Sequence, residues 1–551
     1  GRNVPDEAMP DEDKMNLGKI YHMGKEEAAG LLLNRQAMAS HTFITGSTGT
    51  GKSNAVYHLL DEITKNGQTT FLVVEPAKGE YKNVFGNCTD VQVFGTNPRE
   101  TPLLRMNPFA FPENIHILEH IDRLVEIFNA CWPMYAAMPA VLKDAIERSY
   151  QKVGWDLRNS ESEKGVFPTF FDLLDILPGV IEESHYSKDT QSDYVGALCT
   201  RVKSLTNGIY GSVLCAEDAL TDEALFDRNV IVDLSRVGSM ETKSLLMGIL
   251  VMKLQEYRMC SSGMNSRLRH VTVLEEAHNL LRKTSAEQSQ EGANLQGKSV
   301  EMLANAIAEM RTYGEGFIIA DQAPGLLDMS VIRNTNTKII LRLPDEEDRK
   351  LVGKSAALKE AQIDELSKLP LGVAAVYQNE WPEAVLCKIE AYPMPENAVY
   401  HKPSKMPHEI NAEFVFGQLA VGKELEPLSS SEMEQLKLWL KRHETVLKPE
   451  DSRYLERVFA GGELDVAKTR KAVFDFFGGI GTVVDYCAAA KKSLTPRKEF
   501  LEQLQGQYGL KAAAADWVLN SVISMGMSLN PDAKAVDNLR TNFEQQGGRV
   551  L

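Results

Sequence analysis

HTFITGSTGTGKSNAVYHLLDEI, residues 41–63, decides the fold. A short β-branched run leads into a glycine-rich turn. A helix follows, with Val56, Leu59, Leu60 and Ile63 at i, i+3, i+4 and i+7. Asn66-Gly67 is its stop signal. Gly46 to Ser53, GSTGTGKS, fits G-x-x-x-x-G-K-[ST] at every position. Glycines are needed there because backbone N–H groups must wrap phosphates in conformations that side chains block. The candidate nucleotide-binding residues are Gly46, Ser47, Thr48, Gly49, Thr50, Gly51, Lys52, Ser53 and Asn54. Lys52 is expected to reach the β- and γ-phosphates of ATP, and the Ser53 hydroxyl to ligate Mg²⁺.

Outward from this segment, apolar runs alternate with amphipathic helices. Strands are expected at 42–45, 69–74, 229–234, 270–274, 316–320, 338–343 and 373–377. Their lack of polar alternation suits strands covered on both faces. The fold class is therefore α/β, a doubly wound and mostly parallel sheet. The ATPase core is expected over 41–104 and 221–400, with a helical insertion at 105–220. Residues 1–40 read as an entry segment and 401–551 as a helical C-terminal region, one helix opening at the capping box Ser431–Glu434.

The 551 residues are 43% hydrophobic and 25% charged, which excludes a disordered or fibrous chain. The longest apolar stretch, Leu245–Met252, is far short of the roughly 20 residues of a membrane span. Seven scattered cysteines without a CxxC fit a reduced, cytoplasmic setting. A net charge of −16 argues against a wholly basic surface, though not against a local basic channel.

Hydrolysis needs an acidic strand end, and HVTVLEEAHNLL supplies Glu275 and Glu276. Glu275 is expected to hold the metal through water, and Glu276 to orient the attacking water. GFIIADQAPG ends another strand with Asp321 and Gln322, where an amide can sense the γ-phosphate. His116 and His120 share a helical spacing but lack a third ligand, so they read as surface-helix residues rather than a metal site.

GSTGTGKSN, EPAKGEY, MNPF, VDLSRVGS, LEEAHNLL, AEMRTYGEG and ADQAPG, taken in order, resemble the HerA branch of the HerA/FtsK superfamily of RecA-like ATPases. The resemblance spans roughly residues 15–395. It implies a homo-hexameric ring that moves double-stranded DNA through its pore. It also implies an effector partner, a nuclease or a sirtuin-like NADase, in anti-phage defence. Carried over by residue, it makes Glu276 the catalytic glutamate and Gln322 the sensor. Arg311 becomes an arginine finger acting on the neighbouring subunit, with Arg333 and Arg342 as rivals. Two departures stand out: Glu275 where Asp is commoner, and ADQAPG in place of an SQRPS-like run. Only 45 residues precede Gly46, so the family's N-terminal β-barrel is expected to be absent, truncated or upstream.

Arg282, Lys283 and Lys298, in a polar segment between the acidic strand and Arg311, are the DNA-binding candidates. Arg201 and Lys203 are a second possibility. Two other functions compete with translocation: an ATP-gated scaffold for an effector, and an export ATPase of the type IV secretion kind.

Overall fold

The computed structural model describes residues 9–162, 165–216, 219–284, 290–394, 398–403, 448–459, 465–508 and 512–550. The chain divides into two compact units, Gly1–Glu161 with Phe167–Lys402, and Pro403–Leu551 with Ser162–Val166. Ser431–Glu434 lies outside the described residues.

The first unit is built on one sheet of eleven strands. In chain order these are β1 (Lys14–His22), β2 (Lys25–Asn34), β3 (Thr42–Thr45), β4 (Thr70–Glu75), β5 (Val91–Gly95) and β6 (Asn229–Asp233). They continue with β7 (His270–Glu275), β8 (Glu315–Asp321), β9 (Thr337–Ile340), β10 (Val373–Gln378) and β11 (Val385–Ile389). The spatial order is β2-β1-β11-β10-β9-β3-β8-β7-β4-β6-β5. From β9 to β5 every pairing is parallel, whereas β10, β11, β1 and β2 are added antiparallel at one edge. This is the α/β, RecA-like arrangement. The parallel strands are buried along nearly their whole length, which explains their continuous apolar sequence.

Four strands of this sheet are additional to those read from the sequence. Residues 14–34 are a long antiparallel hairpin, not simply an entry segment. Met15, Leu17, Leu31 and Leu33 face the core while Lys25, Glu26 and Glu27 are exposed at the sheet edge. β5 and β11 also lie near or beyond the edges of the parallel block, where short mixed sequences suffice.

Helix α1 (Lys52–Thr64) packs Val56, Leu59, Leu60 and Ile63 into that core, each at most 1% exposed. The helix Met240–Ser261 carries the Leu245–Met252 run, all of it buried. A Cβ on Gly248 would come 2.9 Å from Ile127 of the helix Ile117–Cys131. The run is apolar on every side because it is sandwiched, not because it meets lipid. Between β5 and β6 the chain is largely helical, including Met138–Lys152 and Phe170–Glu183.

The second unit contains the helices Pro449–Phe459, Val466–Phe476, Gly479–Ala490, Pro496–Tyr508, Ala512–Leu529 and Ala533–Gln545. Leu455, Val473, Tyr486, Leu519, Ile523 and Phe543 form its own core.

Candidate nucleotide site

Parallel register gathers the chemistry at one end of the sheet. Thr45 pairs with Asp321, Ala320 with Glu275, and Glu75 with Asp233. The C-terminal tips of β6, β4, β7 and β8 thus carry Asp233, Glu75, Glu275 and Asp321 beside the turn that follows β3.

That turn is held by its own backbone. Thr50 Oγ1 donates to Ser47 O at 2.7 Å, Ser47 N to Arg342 O at 3.0 Å, and Gly372 N to Thr50 O at 3.1 Å. Gly51, the residue before α1, has φ 104°, a conformation that a side chain would strain. The free end of α1 points its N–H groups into the cleft, a ready anion site.

Lys52 Nζ lies 3.0 Å from Glu276 Oε1 and 3.3 Å from Glu275 Oε2. Burial works against its charge, but Glu275 and Glu276 outweigh that and hold its pKa above the ordinary lysine value. Glu275 also accepts a hydrogen bond from the Tyr81 hydroxyl. Ser53 lines the same cleft with Glu75, Lys78, Tyr81 and the two glutamates. Thr48 Oγ1 donates to Gln322 Oε1 at 3.0 Å, which brings the predicted sensor onto the turn. Asn54 points elsewhere: its amide donates to Glu390 O at 3.0 Å and accepts from Tyr392 N at 2.8 Å.

Several groups here carry no motif. Burial pushes the Glu75 carboxyl up to about 8, against the pull of the Glu80 and Tyr81 amides, with Asp233 and Glu275 adding to the rise. Strand-final acids in LVVEP and VIVDL are the sequence signal for Glu75 and Asp233. Glu276, His278 and Asp321 lie close enough together to resemble a metal cage. However, His278 directs both its backbone N (2.9 Å) and its ring Nδ1 (2.8 Å) at the same Asp321 oxygen. The hydrogen bond to Asp321 raises the His278 pKa, and through Nδ1 the ring is a donor to that carboxylate.

Arg311 is elsewhere. It sits exposed in the turn Met310–Tyr313, before the first residue of β8. Seven residues of β8, about 23 Å of strand, separate it from its own chain's nucleotide site. Arg333 ends the short helix Met329–Arg333 ahead of β9, also away from that site, whereas Arg342 follows β9 and its carbonyl anchors Ser47. Arg282, Lys283 and Lys298 are exposed, and Lys283 N is pinned to Leu326 O at 2.8 Å; residues 285–289 lie outside the described residues. Arg201 is spent on Glu241 at 3.1 Å. His120 is fully buried against Glu256 and Pro108 O, and His116 caps its helix through Leu118 N, so the structure makes neither a metal ligand and moves His120 from surface to core.

The family "Helicase HerA, central domain" matches residues 15–253. A probable helicase of Methanocaldococcus jannaschii is 23% identical over 428 residues, covering 71% of this chain and 75% of the relative. The DNA double-strand break repair helicase HerA of Sulfolobus acidocaldarius is 25% identical over 393 residues, covering 69% of each. The structure of VirB4 of Thermoanaerobacter pseudethanolicus superposes with a TM-score of 0.51 at 18% identity, over 70% of this chain and 98% of that one, a likeness of fold. Over residues 15–253 the chain is similar to the central domain of helicase HerA, and with these relatives that similarity supports an ATP hydrolase on a RecA-like core.

Proposed function

We propose that the cleft beside Lys52 hydrolyses Mg²⁺-bound ATP to drive a homo-hexameric ring along double-stranded DNA. The observation that carries this is the contact of Lys52 Nζ with both Glu275 and Glu276. It joins the motif lysine to the acids that would manage the metal and the water, which supports this reading. Around Ser53 the donors are all oxygens (Glu75, Glu275 and Glu276 carboxylates), a set that fits a hard divalent cation. When bound, Mg²⁺ neutralises charge on the β- and γ-phosphates.

The chain's own residues do the rest. Gly46–Gly51 wrap the phosphates and Lys52 leaves the acids to neutralise them. Ser53 and Glu275 hold the metal side, the latter steadied by Tyr81. Glu276 orients the water and accepts its proton. Gln322, touching Thr48, reads the γ-phosphate. Arg311, remote from its own cleft, serves the neighbouring subunit's nucleotide. Arg282, Lys283 and Lys298 line the DNA path, binding phosphates without sequence preference. Relatives named as helicases support duplex DNA as the track. An effector partner, a nuclease or an NAD-consuming enzyme, completes the assembly and fits a role in anti-phage defence.

Glu276→Gln tests the chemistry. It should bind a fluorescent ATP analogue normally while turnover falls about 100- to 10,000-fold, the usual worth of a general base. Near-normal turnover would remove Glu276 from this role.

A further inference from the structure

The first turn of α1 is held from two sides. Lys52 reaches the tip of β7, two places from β3 in the sheet. Asn54 stands about 200° further round the helix. It reaches the other way, to the segment that leaves β11, three places from β3 on the opposite side. Its Nδ2 donates to Glu390 O at 3.0 Å, and its Oδ1 accepts from Tyr392 N at 2.8 Å. One side-chain amide thus pairs with two backbone groups of a single extended segment. That segment is itself fixed. Glu390 N donates to Leu17 O of β1 at 3.1 Å, and the Tyr392 ring lies 5.4 Å from that of Phe85 and 6.1 Å from that of Tyr57. Pro393 restricts Tyr392 to extended backbone. The same edge also meets the phosphate turn: Ile389 N donates to Gly372 O at 2.9 Å, and Gly372 N to Thr50 O at 3.1 Å.

We propose that Asn54 is a positioning residue for nucleotide binding: its amide locks the start of α1 to the antiparallel edge of the sheet, and so holds Lys52 and Ser53 at the phosphate site. This rests on the reading of the cleft as an ATP site given above. The need for such a hold follows from Lys52. When phosphate oxygens replace Glu275 and Glu276 as its partners, the grip on the β7 side is given up. The bonds of Asn54 go to backbone groups for which the nucleotide does not compete, so they last through binding. The free N–H groups of α1 and the Ser53 hydroxyl then meet the phosphates already in place. Pre-organisation of this kind raises affinity because less freedom is lost on binding. The antiparallel strands thereby serve the phosphate turn as a backing, although none of their side chains is needed as a ligand.

Two substitutions separate hydrogen bonding from bulk. In the full chain, Asn54→Ala should weaken binding of a fluorescent ATP analogue about 10-fold, within the net worth of two ordinary hydrogen bonds. The loss should appear in KM far more than in kcat, because ground state and transition state lose the same support. Asn54→Leu, similar in size but without the amide, should behave as Asn54→Ala. Linkage supplies a test that needs no variant. If the Asn54 bonds favour nucleotide, bound nucleotide favours them by the same factor. Exchange of the Tyr392 amide hydrogen in the wild-type chain should then slow about 10-fold when the analogue saturates the site. Wild-type affinity in Asn54→Ala would overturn the proposal, as would wild-type affinity in Asn54→Leu or a fall in kcat at unchanged KM. So would Tyr392 exchange that ignores bound nucleotide. Lys52→Ala, assayed alongside, separates the two claims. Full binding by Lys52→Ala removes the ATP-site reading, whereas lost binding there with wild-type affinity in Asn54→Ala removes only the role of Asn54.

Discussion

Lys52 Nζ stands 3.0 Å from Glu276 Oε1 although their strands are two places apart in the sheet. On the proposed function, nucleotide binding exchanges these carboxylates for phosphate oxygens as the partners of Lys52. Lys52→Ala should abolish tight nucleotide binding and lower turnover at least about 100-fold, as loss of a charge-stabilising donor does. Equilibrium binding of a fluorescent ATP analogue checks it; wild-type affinity would contradict the exchange.

Arg311 lies a strand's length from its own cleft, so the proposed finger role would require a neighbouring subunit's nucleotide. Arg311→Ala should bind ATP but lose about 1,000-fold or more in turnover. Mixed with Glu276→Gln subunits it should regain activity, because some interfaces then pair an intact base with an intact arginine. Steady-state hydrolysis across mixing ratios is the measurement, and absence of any rescue would count against action in trans.

Glu75 gives the nucleotide-free protein a pH dependence. Its carboxyl is raised to about 8, chiefly by burial, so between pH 4.5 and 8 the folded chain holds a proton that the unfolded chain has lost. The contribution of Glu75 to stability then falls as pH rises through that window, by about 1.4 kcal/mol per unit at most. Glu75→Gln should flatten the fall. Tm measured from pH 5 to 8 without Mg²⁺ or nucleotide would show it, and parallel curves for variant and wild type would exclude Glu75 as the source.

At the opposite end of the sheet, Glu315 is fully buried with Arg258 Nε at 2.9 Å and His270 Nδ1 at 2.7 Å. Burial opposes its charge, but His270 and Arg258 outweigh it and bring the pKa down to about 2. Glu315→Leu should cost about 3–5 kcal/mol, because it strands a buried guanidinium. Adding Arg258→Met should restore much of the loss. Denaturant unfolding of the single and double variants tests this.

The parallel core was legible because strands buried on both faces leave unbroken apolar runs, and because a glycine-rich turn has few other uses between a strand and a helix. The hairpin 14–34 was not: KMNLGKIYH and KEEAAGLLLN are half exposed, and only pairing with β11 makes their alternation meaningful. Glu275, Glu276 and Gln322 could be named from strand ends. The contacts of Tyr81 with Glu275 and of His278 with Asp321 could not, since they depend on which strands stand side by side. The Asn54 side chain bonds to Glu390 and Tyr392, a use that the phosphate motif alone does not foretell.

Steady-state ATP hydrolysis with and without long linear duplex DNA, over a range of salt, tests the central claim most directly. A ring presenting Arg282, Lys283 and Lys298 from each subunit should hydrolyse faster on DNA, with the stimulation fading steeply as salt rises. Measurable basal turnover that ignores DNA at every salt concentration would contradict a DNA-driven motor.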